Sequence, residues 1–267
     1  MLSYPEIKEE DPPDILDLSR AAYASLNNAF WDSFTPHEFP FTYEQFARHF
    51  RSYVKEYGLS NKTVFLAIHY AVAAMMKKDL SKVKWIAYHA HASVKDTLRA
   101  RADFAEHKAI LTVRDPRAAA FSNKKCSGSF PACRLSLDTL ILDELYGRAF
   151  LPEETLVVRH EDLHQNYGVV RQKICDFLKI PEDPAMNHAT YFGVPWDGCR
   201  KTGAYSITHV ASTTPDPRFV SDEWKDSLSS FELFYLQNIL LGSFMRKYGY
   251  ARFKRTGAQL ALALNYN

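Results

Sequence analysis

The sequence has little cysteine, no run of like charge and no long apolar stretch, and each absence excludes something. Four cysteines in 267 residues (Cys126, Cys133, Cys175 and Cys199) form neither a C-x-x-C pair nor a zinc-ligand spacing. Neither a disulfide framework nor a structural zinc site is expected from them. Reduced core thiols in a cytoplasmic chain fit this usage, although Cys126 and Cys133 flank one loop and could bridge. A formal net charge of +2 without a basic run argues against nucleic acid as a partner. The segment Val64 to Met76 is the strongest apolar candidate, but it contains His69 and is too short to span a membrane. Met1 to Pro13 is acidic and proline-bearing, unlike a secretory leader. There is no internal repeat and no low-complexity segment.

What is present is ordinary globular composition, 46% apolar and 24% charged, in a length that can bury a full core. One stretch stands out, Ala109-Ile110-Leu111-Thr112-Val113-Arg114-Asp115-Pro116-Arg117-Ala118-Ala119-Ala120-Phe121-Ser122. Ala109 to Val113 has the length and branching of a buried strand. Proline ends the pairing, and its fixed φ suits a first helical turn. Asp115 is then the N-cap, Pro116 takes N1, and an alanine-rich helix follows. Such a turn aims unpaired N–H groups past the strand's carboxyl end, where anions bind. Arg114 adds a guanidinium at the mouth, and Ser122 adds a hydroxyl two turns along.

The rest of the chain reads as alternating elements. Helices are expected at Ile15–Phe30, Thr42–Tyr57 (a Thr42/Gln45 capping box, with Phe46, Phe50 and Val54 on one face) and Ser60–Lys78. Gly58 separates the last two. A strand at Lys82–Tyr88, a helix at Val94–Glu106 and the strand–helix unit above imply right-handed crossovers and a parallel sheet. A polar loop at Asn123–Pro131, a helix at Leu135–Phe150, a strand at Thr155–Arg159 and a helix at Gly168–Leu178 follow. Pro181–Pro217 lacks periodicity and is long enough to be a functional loop. A final helix is expected over Glu232–Tyr248, capped near Ser230 and ended by Gly249. Arg252–Asn267 is an unplaced tail.

The central stretch resembles the 3′-phosphate-binding motif of the sulfotransferases, R-[DN]-P-R/K-x-x-x-x-S, with Arg114 and Ser122 eight residues apart. The resemblance extends to Val157-Val158-Arg159-His160-Glu161-Asp162-Leu163, similar to the family's v-Y-E-D-L run with His160 in place of tyrosine. It continues through Ile174–Ile180, Glu223–Ser229 and Met245–Tyr250, together about residues 80 to 250. The implied fold is a three-layer α/β domain, a parallel sheet flanked by helices of P-loop-nucleotide-kinase-like type. Residues 1–80 form a helical region, 81–250 the best-matching core and 251–267 the tail of one domain. The implied activity is transfer of a sulfuryl group from 3′-phosphoadenosine 5′-phosphosulfate (PAPS) to a hydroxyl or amine of a small molecule or glycan, with no metal.

The resemblance also implies particular site residues. Arg114 and Ser122 would hold the 3′-phosphate, and Arg200-Lys201-Thr202-Gly203 matches a basic loop that folds over the nucleotide through Arg200, Lys201 and Gly203. A solvated loop end explains those residues as well. His89 and His91 close the expected strand at Lys82–Tyr88, where family members often place a histidine near the acceptor. Histidine suits the base that takes the acceptor's proton, His91 first and His89 second. Surface or capping histidines explain both equally, and no third metal ligand lies at a telling distance. His69, His107 and His164 read as helix or loop residues. The aromatics Phe30, Trp31, Phe34, Phe39 and Phe41 suit an acceptor pocket or a core.

One family motif is absent, the P-R/K-S-G-T loop that cradles the phosphosulfate. Gly58–Thr63 follows a helix rather than a strand, and Gly193–Thr202 has two residues too many before its lysine. The chain therefore reads as lacking the family's first strand–loop–helix unit. The rival reading is a non-catalytic nucleotide-binding or scaffold protein. A P-loop kinase lacks support, because no Walker lysine or magnesium pattern is present.

Overall fold

A computed structural model of the chain describes residues 13–33, 40–88, 94–127, 151–188, 190–191, 194–195, 215, 217, 220 and 222–254. They fall in two compact units, residues 1–107 with 188–213, and residues 108–187 with 214–267. No described helix is long and apolar enough to cross a membrane.

The first unit is helical. It holds α1 (Ile15–Ser33), α2 (Tyr43–Tyr57), α3 (Asn61–Met75) and α4 (Val94–Asp103). The expected capping box forms: Gln45 N–H donates to Thr42 Oγ1 at 3.3 Å, and Thr42 N–H donates to Gln45 Oε1 at 3.2 Å. Gly58 stops α2 with φ at +81°, a conformation that suits glycine. Ser60 caps α3 by accepting the Thr63 N–H at 3.0 Å. Phe46, Phe50 and Val54 are buried with Ala22, Leu26, Val64, Ala67, Ile68 and Ala71 in one core. The rings of Phe46 and Phe50 stack at 5.7 Å.

The strand expected at Lys82–Tyr88 does not form. Leu80–Lys82 is instead a single 3₁₀ turn capped by Asp79, which accepts the Ser81 N–H at 3.1 Å. No described strand pairs with residues 83–88, and Val83 and Ile86 remain 49% and 39% exposed. Branched residues favour strands only where a neighbour buries them. The helix beyond Val94 is also shorter than expected and ends at Asp103.

His69 lies on α3, its ring 4.6 Å from that of Phe65. Burial pushes its imidazole down to about 4. The folded unit therefore keeps His69 neutral, whereas the unfolded chain protonates it near pH 6.5. Stability is complete above that pH and falls as the pH drops toward 4, by about 2 kcal/mol between pH 7 and pH 5. Thermal melts at both pH values should show this loss in the wild type. They should show it diminished in His69→Leu; equal slopes would remove His69 as the cause.

The second unit is built on β1 (Ala109–Val113) and β2 (Thr155–Arg159), paired in parallel with Ala109 opposite Thr155 and Val113 opposite Arg159. The described chain is thus mixed α/β, mostly helical, with a small parallel sheet. α5 (Pro116–Ser127) follows β1 and runs through residues expected to begin a loop. α6 (His160–Gln165) and α7 (Tyr167–Leu178) follow β2. The helix expected at Leu135–Phe150 lies outside the described residues. A two-residue antiparallel bridge, β3 (Thr190–Tyr191) with β4 (Val194–Pro195), belongs to the first unit. Cys175 is a buried free thiol, as expected; Cys133 and Cys199 lie outside the described residues.

The carboxyl-terminal helix is broken where one helix was expected. It runs as α8 (Trp224–Ser227), α9 (Ser230–Phe234), a π-helical stretch Tyr235–Leu240, and α10 (Gly242–Lys247). Ser229, one residue before the expected cap, forms a capping box with Glu232. Leu241 N–H donates to Leu236 O at 2.9 Å, an i→i−5 bond that widens the turn. Gly242 permits the close pass that follows, because a Cβ there would lie 2.7 Å from Gln237 O. Trp224, Leu228, Leu233, Leu236, Leu241, Phe244, Met245 and Tyr250 bury themselves with Val113, Ala118 and Ala120. The start of α5 is therefore packed on residues more than a hundred positions away.

Candidate functional site

At the carboxyl edge of the parallel pair, β1 leads into Arg114 and β2 into His160. The register that sets Val113 opposite Arg159 makes these two residues neighbours. Asp115 caps α5 as expected, its Oδ1 accepting the Arg117 N–H at 2.9 Å. Pro116, the first helical residue, has no N–H to satisfy.

Two arginines flank this cap, and they do different things. Arg117 is buried and fully engaged. Its Nε and Nη2 grip the Asp115 carboxylate, the latter at 2.6 Å, while Nη1 donates to Gln237 Oε1 at 3.0 Å and Ala251 O at 2.8 Å. Its guanidinium also lies 4.2 Å from the Trp224 ring centroid. Arg114 is half-buried and makes no ion pair with a described carboxylate. Its charge reaches His160, whose imidazole is held below its ordinary value by burial first, then by Arg114 and His164, against a smaller pull from Glu161.

Glu161 lies behind this edge. Its Oε1 accepts the Asp115 backbone N–H at 2.8 Å, and its Oε2 accepts the Tyr250 hydroxyl at 2.9 Å. Arg159 Nε stands 4.0 Å from Oε2, with its guanidinium 4.5 Å from the Tyr250 ring centroid. Burial, reinforced by the Glu161 charge, raises the Tyr250 hydroxyl well above the ordinary tyrosine range, so it stays a donor.

Ser122 is half-buried on α5. Seven residues past Asp115 is almost two full turns, which returns it to the face of the helix that the cap occupies. The expected pair Arg114 and Ser122 thus sits on one strand–turn–helix unit. His89, His91, Arg200, Lys201 and Gly203 lie outside the described residues. Among the described residues, no group of three His, Cys, Asp or Glu side chains is placed to hold a metal.

The sequence pattern alone assigns no role to Glu161 or Arg117. Both stand inside the motifs quoted above, Glu161 two residues past the second strand and Arg117 in the R-D-P-R run. Position after a strand was a usable signal for Glu161. Nothing local identified the distant partners Gln237, Tyr250 and Ala251.

No family model matches the sequence, and no curated protein matches it. Among solved structures, the chain is similar to the sulfotransferase domain from the curacin biosynthetic pathway, at 17% identity and a TM-score of 0.42, covering 76% of this chain and 78% of that one. It is also similar to the sulfotransferase domain from the Synechococcus PCC 7002 olefin synthase, at 16% identity and a TM-score of 0.41, covering 79% and 82%. At those scores neither likeness carries an argument about this chain's fold or chemistry.

Proposed function

We propose that the protein is a PAPS-dependent sulfotransferase acting on a hydroxyl or amine of a small molecule or glycan. In this reading the turn after β1 holds the 3′-phosphate of the nucleotide. The observation that carries it is the division of labour between the two arginines. Arg117 is neutralised in place by Asp115, while Arg114, at the mouth of a twelve-residue helix, has no described carboxylate to neutralise it. A guanidinium on a strand's carboxyl edge, with a hydroxyl on the adjoining helix, is a donor set that fits a phosphate monoester.

Arg114 and Ser122 would hold the 3′-phosphate, and Arg200, Lys201 and Gly203 would close over the nucleotide. When bound, PAPS supplies the sulfuryl group. His91, or else His89, would take the acceptor's proton. A three-layer sheet of P-loop-nucleotide-kinase-like type belongs to the same reading. So does the absence of any metal requirement, with cationic side chains and amides stabilising the transferring group.

If Arg114 binds the 3′-phosphate, the chain should hold 3′,5′-bisphosphoadenosine more tightly than 5′-AMP, which lacks that group. Losing a charge-assisted contact costs about 2–5 kcal/mol. Arg114 is only partly buried, which places the expectation at the lower end, about thirtyfold in affinity. Calorimetry should show that preference in the wild type and its loss in Arg114→Ala. Equal affinities in the wild type would overturn the assignment. Residues 1–267 contain no P-R/K-S-G-T run, and a second reading is a nucleotide-binding protein without turnover. Binding of the bisphosphate with no release of labelled sulfate from PAPS would select it.

A further inference from the structure

Resting on the assignment of Arg114 to the 3′-phosphate, we infer that Glu161 is a positioning residue that fixes the Arg114 peptide and thereby sets selectivity for the 3′-phosphorylated nucleotide. The Asp115 N–H that Glu161 captures belongs to the peptide unit joining Arg114 to Asp115. Its plane decides the direction in which the Arg114 side chain leaves the backbone. Asp115 cannot fix that plane itself, because its carboxylate is occupied by Arg117.

Glu161 is itself held from two sides. It lies two residues past the end of β2, in the first turn of α6, so the strand register and the helix that follows set its height against β1. The Tyr250 hydroxyl then fixes its second oxygen at 2.9 Å. With its side chain 13% exposed, the carboxylate has little freedom to swing away. A carboxylate anchored at both oxygens transmits the position of Tyr250 to the turn that carries Arg114. Glu161 touches no nucleotide in this account. It acts through the backbone of its neighbour strand.

Two near-isosteric replacements separate hydrogen-bond geometry from charge. Glu161→Gln keeps the reach: its carbonyl oxygen still accepts the Asp115 N–H, and its amide donates to the Tyr250 oxygen. Glu161→Asp keeps the charge but is one methylene short. The expected result is that Glu161→Gln retains the preference for 3′,5′-bisphosphoadenosine over 5′-AMP within about threefold, while Glu161→Asp loses about tenfold of it. The affinity for 5′-AMP should change little in either.

Hydrogen exchange gives a second readout that needs no nucleotide. The Asp115 amide should exchange slowly in the wild type and in Glu161→Gln, and quickly in Glu161→Asp. Preference retained in both variants, lost in both, or lost only in Glu161→Gln would overturn the inference. So would a parallel fall in the affinities for both nucleotides, or an Asp115 amide that exchanges quickly in the wild type. Absence of any preference in the wild type would instead remove the 3′-phosphate assignment, while the exchange data would still report whether Glu161 holds the turn.

Discussion

Replacing Arg117 with alanine is expected to destabilise the unit that contains β1 and α5 by about 3–5 kcal/mol. The side chains of Arg117 and Asp115 are 6% and 12% exposed, so deleting the cation strands a carboxylate where water cannot solvate it. It also removes the donor to Gln237 Oε1 and to the carbonyl of Ala251, and the stack on Trp224. The loss should appear in urea unfolding as a lower midpoint with an unchanged slope. Arg117→Met, which keeps the aliphatic stem on Trp224, should recover only a minor part. A loss below about 1 kcal/mol for Arg117→Ala would mean that the ion pair does not act as a buried clamp. Arg114→Ala is the contrast, since that side chain is half-buried and without a described carboxylate partner. It should weaken the nucleotide and leave the unfolding midpoint nearly unmoved.

The largest expected effect on rate falls on His91. Sulfuryl transfer to a hydroxyl or amine requires that the acceptor lose a proton as the new bond to sulfur forms. A side chain with an ordinary histidine pKa suits that task near neutral pH. His91→Ala should therefore lower the transfer rate by about 10²–10⁴-fold. Affinity for 3′,5′-bisphosphoadenosine should be almost unchanged, because the base works on the acceptor side. Single-turnover assays with labelled PAPS and a panel of phenolic and sugar acceptors, run beside calorimetry on the same variant, separate rate from binding. Full activity in His91→Ala would pass the role to His89 or to a carboxylate. A matching fall in nucleotide affinity would show that the residue supports the nucleotide instead.

The sequence was most informative where interactions are local. The Thr42/Gln45 box, the Ser60 cap, the stop at Gly58 and the Asp115-Pro116 start of α5 each depend on residues within four positions of one another. All are formed as read. The strands at Ala109–Val113 and Thr155–Arg159 were legible because each is a branched apolar run closed by a definite stop, and their pairing is parallel as expected. Lys82–Tyr88 carried a similar pattern and failed, because strand propensity needs a pairing partner that a local window does not contain. The final helix failed for the reverse reason. Its apolar period is sound, but the widened turn at Tyr235–Leu240 answers to the close approach of Gly242 to Gln237. Around the site, Arg114 and Ser122 were legible from spacing. Glu161 and Arg117 gain their roles from partners 46 to 134 residues away, and no local pattern encodes such distances.

Those separations bear on the order in which the protein acquires its shape. Arg117 meets Gln237 across 120 residues and Ala251 across 134, and Glu161 meets Tyr250 across 89. Contacts closing such long loops form late, since the chain must lose its loop entropy before the contact rewards it. On a ribosome, β1 and α5 emerge long before Gln237, Tyr250 and Ala251 exist to hold them. Until then, Arg117 lacks its partners at Gln237 and Ala251, and Glu161 holds the Asp115 amide without the Tyr250 hydroxyl to anchor its second oxygen. The turn after β1 is therefore among the first parts of its unit to be synthesised and among the last to gain all its partners. During that interval the exposed edges of β1 and the uncovered face of α5 are the surfaces on which a folding factor would act.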